Sequence, residues 1–223
     1  LQVIAMTLID AQLDLEEFKN IDMQKGTKIL KVINSQVEYL SRTIDDFINF
    51  FDPKKEKEAF YLDKVILYAV ELVNPSMKKS GISIVIEHIH KEGCISGHDC
   101  LWNSEFLGYP SELSQVLFNL FSNAKDILIE NKIEKPSITV SCIPNGDFAC
   151  VSVSDNGGGI PKKILSKVFE PYFTTKHKKQ GAGIGLYMSR IIVEEHHQGM
   201  LAVANSSLGA VFTINLPIKK EVI

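Results

Sequence analysis

The sequence predicts an α+β protein in two parts. An antiparallel helical hairpin is expected over 1–52, and an α/β sandwich over 60–223, with one sheet carrying helices on one face. Three observations lead there. Apolar residues repeat at heptad steps in two runs within the first fifty or so residues. Beyond residue 60, stretches of helical period alternate with stretches of period two. Four short blocks rich in glycine, asparagine and charge then interrupt the second half: NLFSNAKD at 119–126, DNGGGI at 155–160, VFEPYFTTK at 168–176 and GAGIGL at 181–186.

In the first run Leu1, Ile4, Leu8, Ala11, Leu15 and Phe18 step by 3, 4, 3, 4, 3. After a polar break over Asn20–Thr27, Leu30, Ile33, Val37, Leu40, Ile44, Phe47 and Phe51 continue the same rhythm. Two helices with one apolar stripe each leave surface uncovered, so a homodimeric four-helix bundle is expected, the alternative being packing on the rest of the same chain. Pro53 opens a charged stretch over 53–59 that reads as a linker. Leu62–Lys79 follows as a helix with Val65, Ile66, Ala69, Val70, Leu72 and Val73 on its apolar side, and Ile82, Ile84 and Ile86 alternate as a strand.

Ser111–Ile129 reads as a helix that Pro110-Ser111 would cap. Ser137–Ile143 and Phe148–Ser154 read as a hairpin around Pro144-Asn145-Gly146-Asp147, with 144 paired to 147, Val140 opposite Val151 and Ile138 opposite Val153. Residues 160–182 form a polar stretch bounded by glycine. Ile184–His197 is expected to be a helix, and strands over about 200–205 and 210–216 close the fold.

Composition bounds the function. The chain has 223 residues, 45% hydrophobic and 23% charged, an ordinary globular profile, and a net charge of −3 gives no basic field for nucleic acid. The four cysteines at 94, 100, 142 and 150 lack C-x-x-C spacing, and the expected hairpin points Cys142 and Cys150 to opposite faces. Reduced thiols and a cytoplasmic location follow. No apolar run approaches eighteen residues and no signal pattern opens the chain, so no membrane segment is expected within it.

The four blocks supply the chemistry of an ATP site. Asn119 and Asn123, spaced i, i+4, project from one helix face; their amide oxygens suit Mg²⁺ and their amide N–H groups suit phosphates. Glu112 lies on the same helix, where it could orient a metal-bound water. Asp155 ends a strand and is followed by Gly157 and Gly159, so a carboxylate can accept from a purine amino group while the backbone turns close by. Adenine offers that donor, whereas guanine presents an oxygen. Gly181-Ala182-Gly183-Ile184-Gly185 lacks the preceding strand of a dinucleotide fingerprint and fits the hinge of a lid that ends at a helix start, with Lys176 and neighbouring lysines as counter-charges for the γ-phosphate.

With these blocks in this order, the sequence resembles the sensor histidine kinases of two-component systems, with a GHKL-type (Bergerat) ATP-binding domain. Asn119 and Asn123 match that family's N box, Asp155, Gly157 and Gly159 its G1 box, Phe169 and Phe173 its F box, and Gly181, Gly183 and Gly185 its G2 box. The resemblance is strong over about 60–217, and the hairpin 1–52 resembles the family's dimerisation and phosphotransfer domain. It implies ATP and Mg²⁺ as cofactors, Asp155 on the adenine, Asn119 on the metal and Asn123 on the phosphates. It extends the nucleotide-binding set to Asp126, Ile160, Thr175, Lys176, Ile184 and Leu186. It also implies a response-regulator receiver domain as partner, and the location could be the cytoplasmic part of a membrane-bound sensor.

Three departures stand out. Asp126 occupies a position where the family often has a lysine or arginine, with Lys125 beside it. Gly209-Ala210-Val211-Phe212 replaces a Gly-Thr-x-Phe pattern and loses one hydroxyl. None of the histidines, at 88, 90, 98, 177, 196 and 197, falls in the hairpin, and all read as structural or surface groups, His196 and His197 suiting a helix C-terminus. The acceptor is therefore expected upstream of Leu1, and the chain as given is not expected to autophosphorylate. The alternatives are a non-kinase GHKL ATPase and a degenerate kinase acting as a dimeric binding module.

Overall fold

The computed structural model describes residues 56–88, 105–175 and 183–218. The hairpin 1–52, the homodimer expected through it, Cys94 and Cys100, Lys176 and Gly181 lie outside the described residues. Elements run β1 (Glu58–Tyr61), α1 (Leu62–Lys79), β2 (Ser83–His88), β3 (Glu105–Gly108), α2 (Pro110–Glu130), β4 (Ser137–Asn145) and β5 (Phe148–Asp155). A short α3 (Lys162–Leu165), α4 (Gly185–Ile191), a π-helical turn (Ile192–His196), β6 (Met200–Asn205) and β7 (Ala210–Pro217) complete them. No helix among the described residues is long and apolar enough to cross a membrane.

Five strands form one mixed sheet in the order β2-β4-β5-β7-β6, with β2 parallel to β4 and the other neighbours antiparallel. Period-two alternation decides its faces. Ile138, Val140 and Cys142 of β4, Val151 and Val153 of β5, and Phe212 and Ile214 of β7 are buried on one face. The other carries Thr139, Ser141, Ser152, Ser154 and Thr213, all half-buried. The apolar face is the one the helices cover, through Val65, Ile66, Ala69 and Met77 of α1 and Leu113, Val116, Leu117, Leu120 and Phe121 of α2. The expected sheet with helices on one face is thus present, and β1 and β3 form a separate two-stranded sheet.

Several local expectations are corrected. Leu72 is 54% exposed, because its position on α1 turns well away from the Ile66–Val70–Met77 stripe. The N-cap of α2 is Tyr109 with no side-chain cap; Pro110 takes the first helical position, and it is Ser114 Oγ that donates, to the Pro110 carbonyl at 2.9 Å. The β4–β5 register is shifted by two residues, with Asn145 paired to Phe148 and Val140 to Val153. Gly146 at φ 62° takes the first turn position, the place a type II′ turn gives to glycine. A shift of two preserves the faces, so Cys142 and Cys150 still point apart as free, buried thiols.

Residues 58 and 59 of the expected linker are strand. β1 pairs antiparallel with β3, placing Phe60 opposite Phe106 with ring centroids 5.9 Å apart. The expected 184–197 helix changes pitch near its end: His197 N donates to the Ile192 carbonyl at 3.2 Å, an i→i+5 bond.

Candidate nucleotide site

The site forms where β5 ends, beside α2 and the β6–β7 turn. Alternation along β5 puts Asp155 on the core face after Val151 and Val153, opposite Ile138. A carboxylate there is 8% exposed, and burial pushes its pKa above the ordinary carboxylate value, an effect that bonds from two backbone N–H groups partly offset. Those groups are Gly157 N at 2.8 Å and Ala210 N at 3.3 Å, and both donate to Oδ1. One oxygen is thus fixed by the protein while Oδ2 remains to accept from a ligand. A buried carboxylate spent on orienting itself in this way is costly to stability and characteristic of a binding group.

Close backbone approach explains the glycines. A Cβ on Gly157 would stand 2.9 Å from Ile127 Cγ2 and 3.0 Å from Asp155 Oδ1. Gly159, at φ 82°, has room for a side chain neither sterically nor conformationally, since a Cβ would lie 2.8 Å from Asn205 Oδ1. The glycine run is pinned from three sides. Asn205 accepts from Ile160 N at 2.8 Å and donates to its carbonyl at 2.7 Å, Asn131 Nδ2 donates to the Gly157 carbonyl at 2.7 Å, and Gly158 N donates to the Leu208 carbonyl at 2.9 Å. Ile160 is therefore held by its main chain.

Asn119 and Asn123 stand one turn apart on α2, both half-buried. Asn119 Nδ2 donates to the Gly185 carbonyl at 3.3 Å and to Ser189 Oγ at 3.2 Å, joining the first and fourth blocks. With the amide nitrogen used on α4, Oδ1 is the atom left for a metal. Among the described residues no three His, Cys, Asp or Glu side chains gather to hold an ion. Lys125 Nζ donates to Ser76 Oγ of α1 at 2.6 Å and so turns away from the site; Asp126, its neighbour, is half-buried.

Glu112 lies two helical turns from Asn119, is 3% exposed, and its Oε2 is 2.7 Å from His196 Nδ1, a contact between the two helices. His197, the next residue, is 8% exposed against Phe60 and Tyr109, and burial is the main cause that lowers its pKa to about 4. It is neutral at physiological pH, so a favourable charge at the helix end does not explain it.

The third block frames the segment between Thr175 and Gly183. Phe169 packs edge-on against Phe212 of β7 at 6.3 Å, with the Arg190 guanidinium 5.9 Å from its ring centroid. Gly183, at φ 68°, lies so close to Tyr172 and Phe173 that a Cβ would be 2.6 Å from the Phe173 carbonyl oxygen. Gly183 therefore stands directly against the Tyr172–Phe173 main chain. Thr175 is exposed, Phe173 and Leu186 are half-buried, and Ile184 is the N-cap of α4. Sequence reasoning missed Asn131 and Asn205; their signal was an asparagine at a helix end and one at a strand end, both common turn positions.

The sequence model of the histidine kinase-, DNA gyrase B- and HSP90-like ATPases matches residues 108–220. A sensor histidine kinase NtrY-like protein of Rickettsia felis is 30% identical over 194 residues, covering 76% of this chain and 32% of that protein. The catalytic domain of histidine kinase ThkA superposes with a TM-score of 0.60 at 29% identity, covering 74% of this chain and 97% of that domain. ThkA solved in complex with response regulator protein TrrA gives 0.71 at 23% identity, over 98% of this chain and 59% of that one, a likeness of fold. The chain spans between 12% and 38% of the first curated relatives it matches.

Proposed function

We infer the function from the family to which this chain belongs, the histidine kinase-, DNA gyrase B- and HSP90-like ATPases: it carries the ATPase catalytic domain of a two-component sensor histidine kinase. We propose that this domain binds ATP with Mg²⁺ and that the whole protein transfers the γ-phosphoryl group to a histidine, then to an aspartate of a response-regulator receiver domain. The observation that carries the ATP reading is Asp155, a buried carboxylate whose Oδ1 is held by Gly157 and Ala210 while Oδ2 is left to meet the adenine amine.

In this reading Asn119 Oδ1 holds Mg²⁺ and Asn123 contacts the phosphates. The main chain of Gly157, Gly159 and Ile160 walls the base. Gly181, Gly183, Ile184, Gly185 and Leu186 bring the lid to the phosphates, with Lys176 and Thr175 on it and Asp126 nearby. The metal supplies charge neutralisation for in-line transfer; the chain orients the nucleotide and excludes water around the base. Phe169 and Phe173 hold the lid base rather than the nucleotide. The acceptor is proposed to be a histidine other than the six of this chain, because none falls in the heptad-patterned run 1–52. A dimer through that run, and a cytoplasmic location, complete the proposal.

The test is direct. The chain should bind ATP–Mg²⁺ in calorimetry and prefer it to GTP–Mg²⁺, and a longer protein that includes the proposed acceptor histidine should acquire acid-labile phosphate from γ-labelled ATP. Equal affinity for both nucleotides would remove the role given to Asp155. ATP hydrolysis with no phosphoprotein would favour a clamp-type ATPase.

A further inference from the structure

Helix α2 and the α4–π helix run antiparallel, with matched steps. Glu112 of α2 meets His196 at 2.7 Å. Seven residues along α2, Asn119 meets Ser189 at 3.2 Å, and Ser189 lies seven residues back from His196. Seven residues are two turns, about 10 Å, so these polar contacts are rungs of one ladder. Between them stand Val116, four along from Glu112, and Ile192, four back from His196, both fully buried. At the inner end the Asn119 amide also reaches the Gly185 carbonyl, and Ser189 Oγ donates to the same carbonyl at 2.9 Å. Gly185 is thus seated against Asn119, and a Cβ there would stand 3.5 Å from its Oδ1.

We propose that Glu112 and His196 are positioning residues for the nucleotide site: their pair closes the outer end of this ladder and thereby sets where the start of α4 stands against Asn119 and Asn123. The inference rests on the nucleotide reading and deepens it. A buried carboxylate bonded to a histidine across two helices resists sliding, because displacing either breaks a short directional contact inside the helix interface. The apolar Val116–Ile192 rung alone has no such directionality. The same pair ties the site to the point where the chain enters this unit. Tyr109, next to Glu112's turn, packs edge-on against His196 at 5.8 Å, and Lys57 Nζ stands 5.9 Å from the Tyr109 ring centroid.

The experiment uses the full chain with Glu112→Gln, His196→Gln and the double variant, and reads the Kd for ATP–Mg²⁺ and for adenosine beside the melting temperature. Positioning predicts a split. Each single variant should weaken ATP–Mg²⁺ about tenfold while adenosine, held at Asp155, stays within about twofold, and the double variant should be no worse than the weaker single. ATP–Mg²⁺ affinity unchanged in both singles overturns the proposal. Parallel loss of adenosine and ATP also overturns it, as simple damage to the fold. If His196→Gln does not fold, the near-isosteric Glu112→Gln carries the same test. A wild-type chain that binds no ATP overturns the nucleotide reading itself, and this proposal with it.

Discussion

Gly209 lies so close to Asp155 that a side-chain carbon on it would collide with the Asp155 carbonyl oxygen and stand 2.5 Å from Oδ1. The β6–β7 turn thus presses on the back of the buried carboxylate, and Ala210, the next residue, donates to it. Gly209→Ala should therefore act on stability and on the site together. Overpacking of this kind costs about 1–3 kcal/mol, which is several degrees of melting temperature, and ATP affinity should fall more than that loss of folded protein explains. Thermal melts and calorimetry check it; a variant that binds ATP normally would mean that Asp155 can relax without consequence.

Asp155→Asn separates binding from stability. Asparagine keeps an oxygen for Gly157 and Ala210 but presents an amide N–H donor in place of the acceptor Oδ2, so ATP affinity should drop about 10–100-fold, the worth of a charge-assisted bond. Stability should move the other way. Burial raises the folded-state pKa of Asp155, so the folded chain holds that proton more tightly than the unfolded one. The ionised group then subtracts stability as pH rises from the unfolded value of about 3.9 through the raised folded one. The nucleotide-free variant should melt above the parent at pH 7, and the gap should close toward pH 4 and below. A variant that melts lower at pH 7 would contradict this.

Much of this was legible because it is local. Residues 62–79 show their helix through composition and period, and the alternation Val151-Ser152-Val153-Ser154 shows its strand, so the place of Asp155 at the strand end follows directly. The hairpin register was two residues out because Asn145-Gly146 and Gly146-Asp147 are both acceptable turn pairs. What long-range packing decides could not be read. β1 and β3 have four residues each and recognise one another only in the fold, Phe60 meeting Phe106. Glu112 looked like a group near the metal because its partner, His196, lies 84 residues away.

His197 predicts an acid-side loss of stability. Its pKa falls from 6.5 to about 4 on folding, chiefly through burial, so the neutral ring stabilises the fold above the unfolded value. That contribution is lost as pH falls from about 6.5 toward 4, up to about 3 kcal/mol at 1.36 kcal/mol per unit. Nε2 is buried with no hydrogen-bond partner, which leaves an added proton without an acceptor. His197→Asn, which cannot titrate, should lower stability at pH 7 but remove this part of the slope between pH 6.5 and 4. Denaturant midpoints at several pH values check it, and an unchanged slope would place the titrating group elsewhere.

Asn119→Asp tests which atom of the amide does what. A metal ligand alone would gain from the substitution, because a carboxylate binds Mg²⁺ better than an amide oxygen. The structure predicts a loss instead. Asn119 Nδ2 donates to the Gly185 carbonyl and to Ser189 Oγ, and a carboxylate oxygen in its place would face the carbonyl with no proton between them. Ser189 can rotate to donate, but it would then abandon its own bond to Gly185. The start of α4 should therefore separate from α2, with about 1–3 kcal/mol lost from the fold and ATP–Mg²⁺ affinity reduced at least tenfold. Melting temperature and calorimetry separate the two readings: tighter Mg²⁺-dependent binding with an unchanged melt would show that the amide nitrogen's bonds to α4 are dispensable.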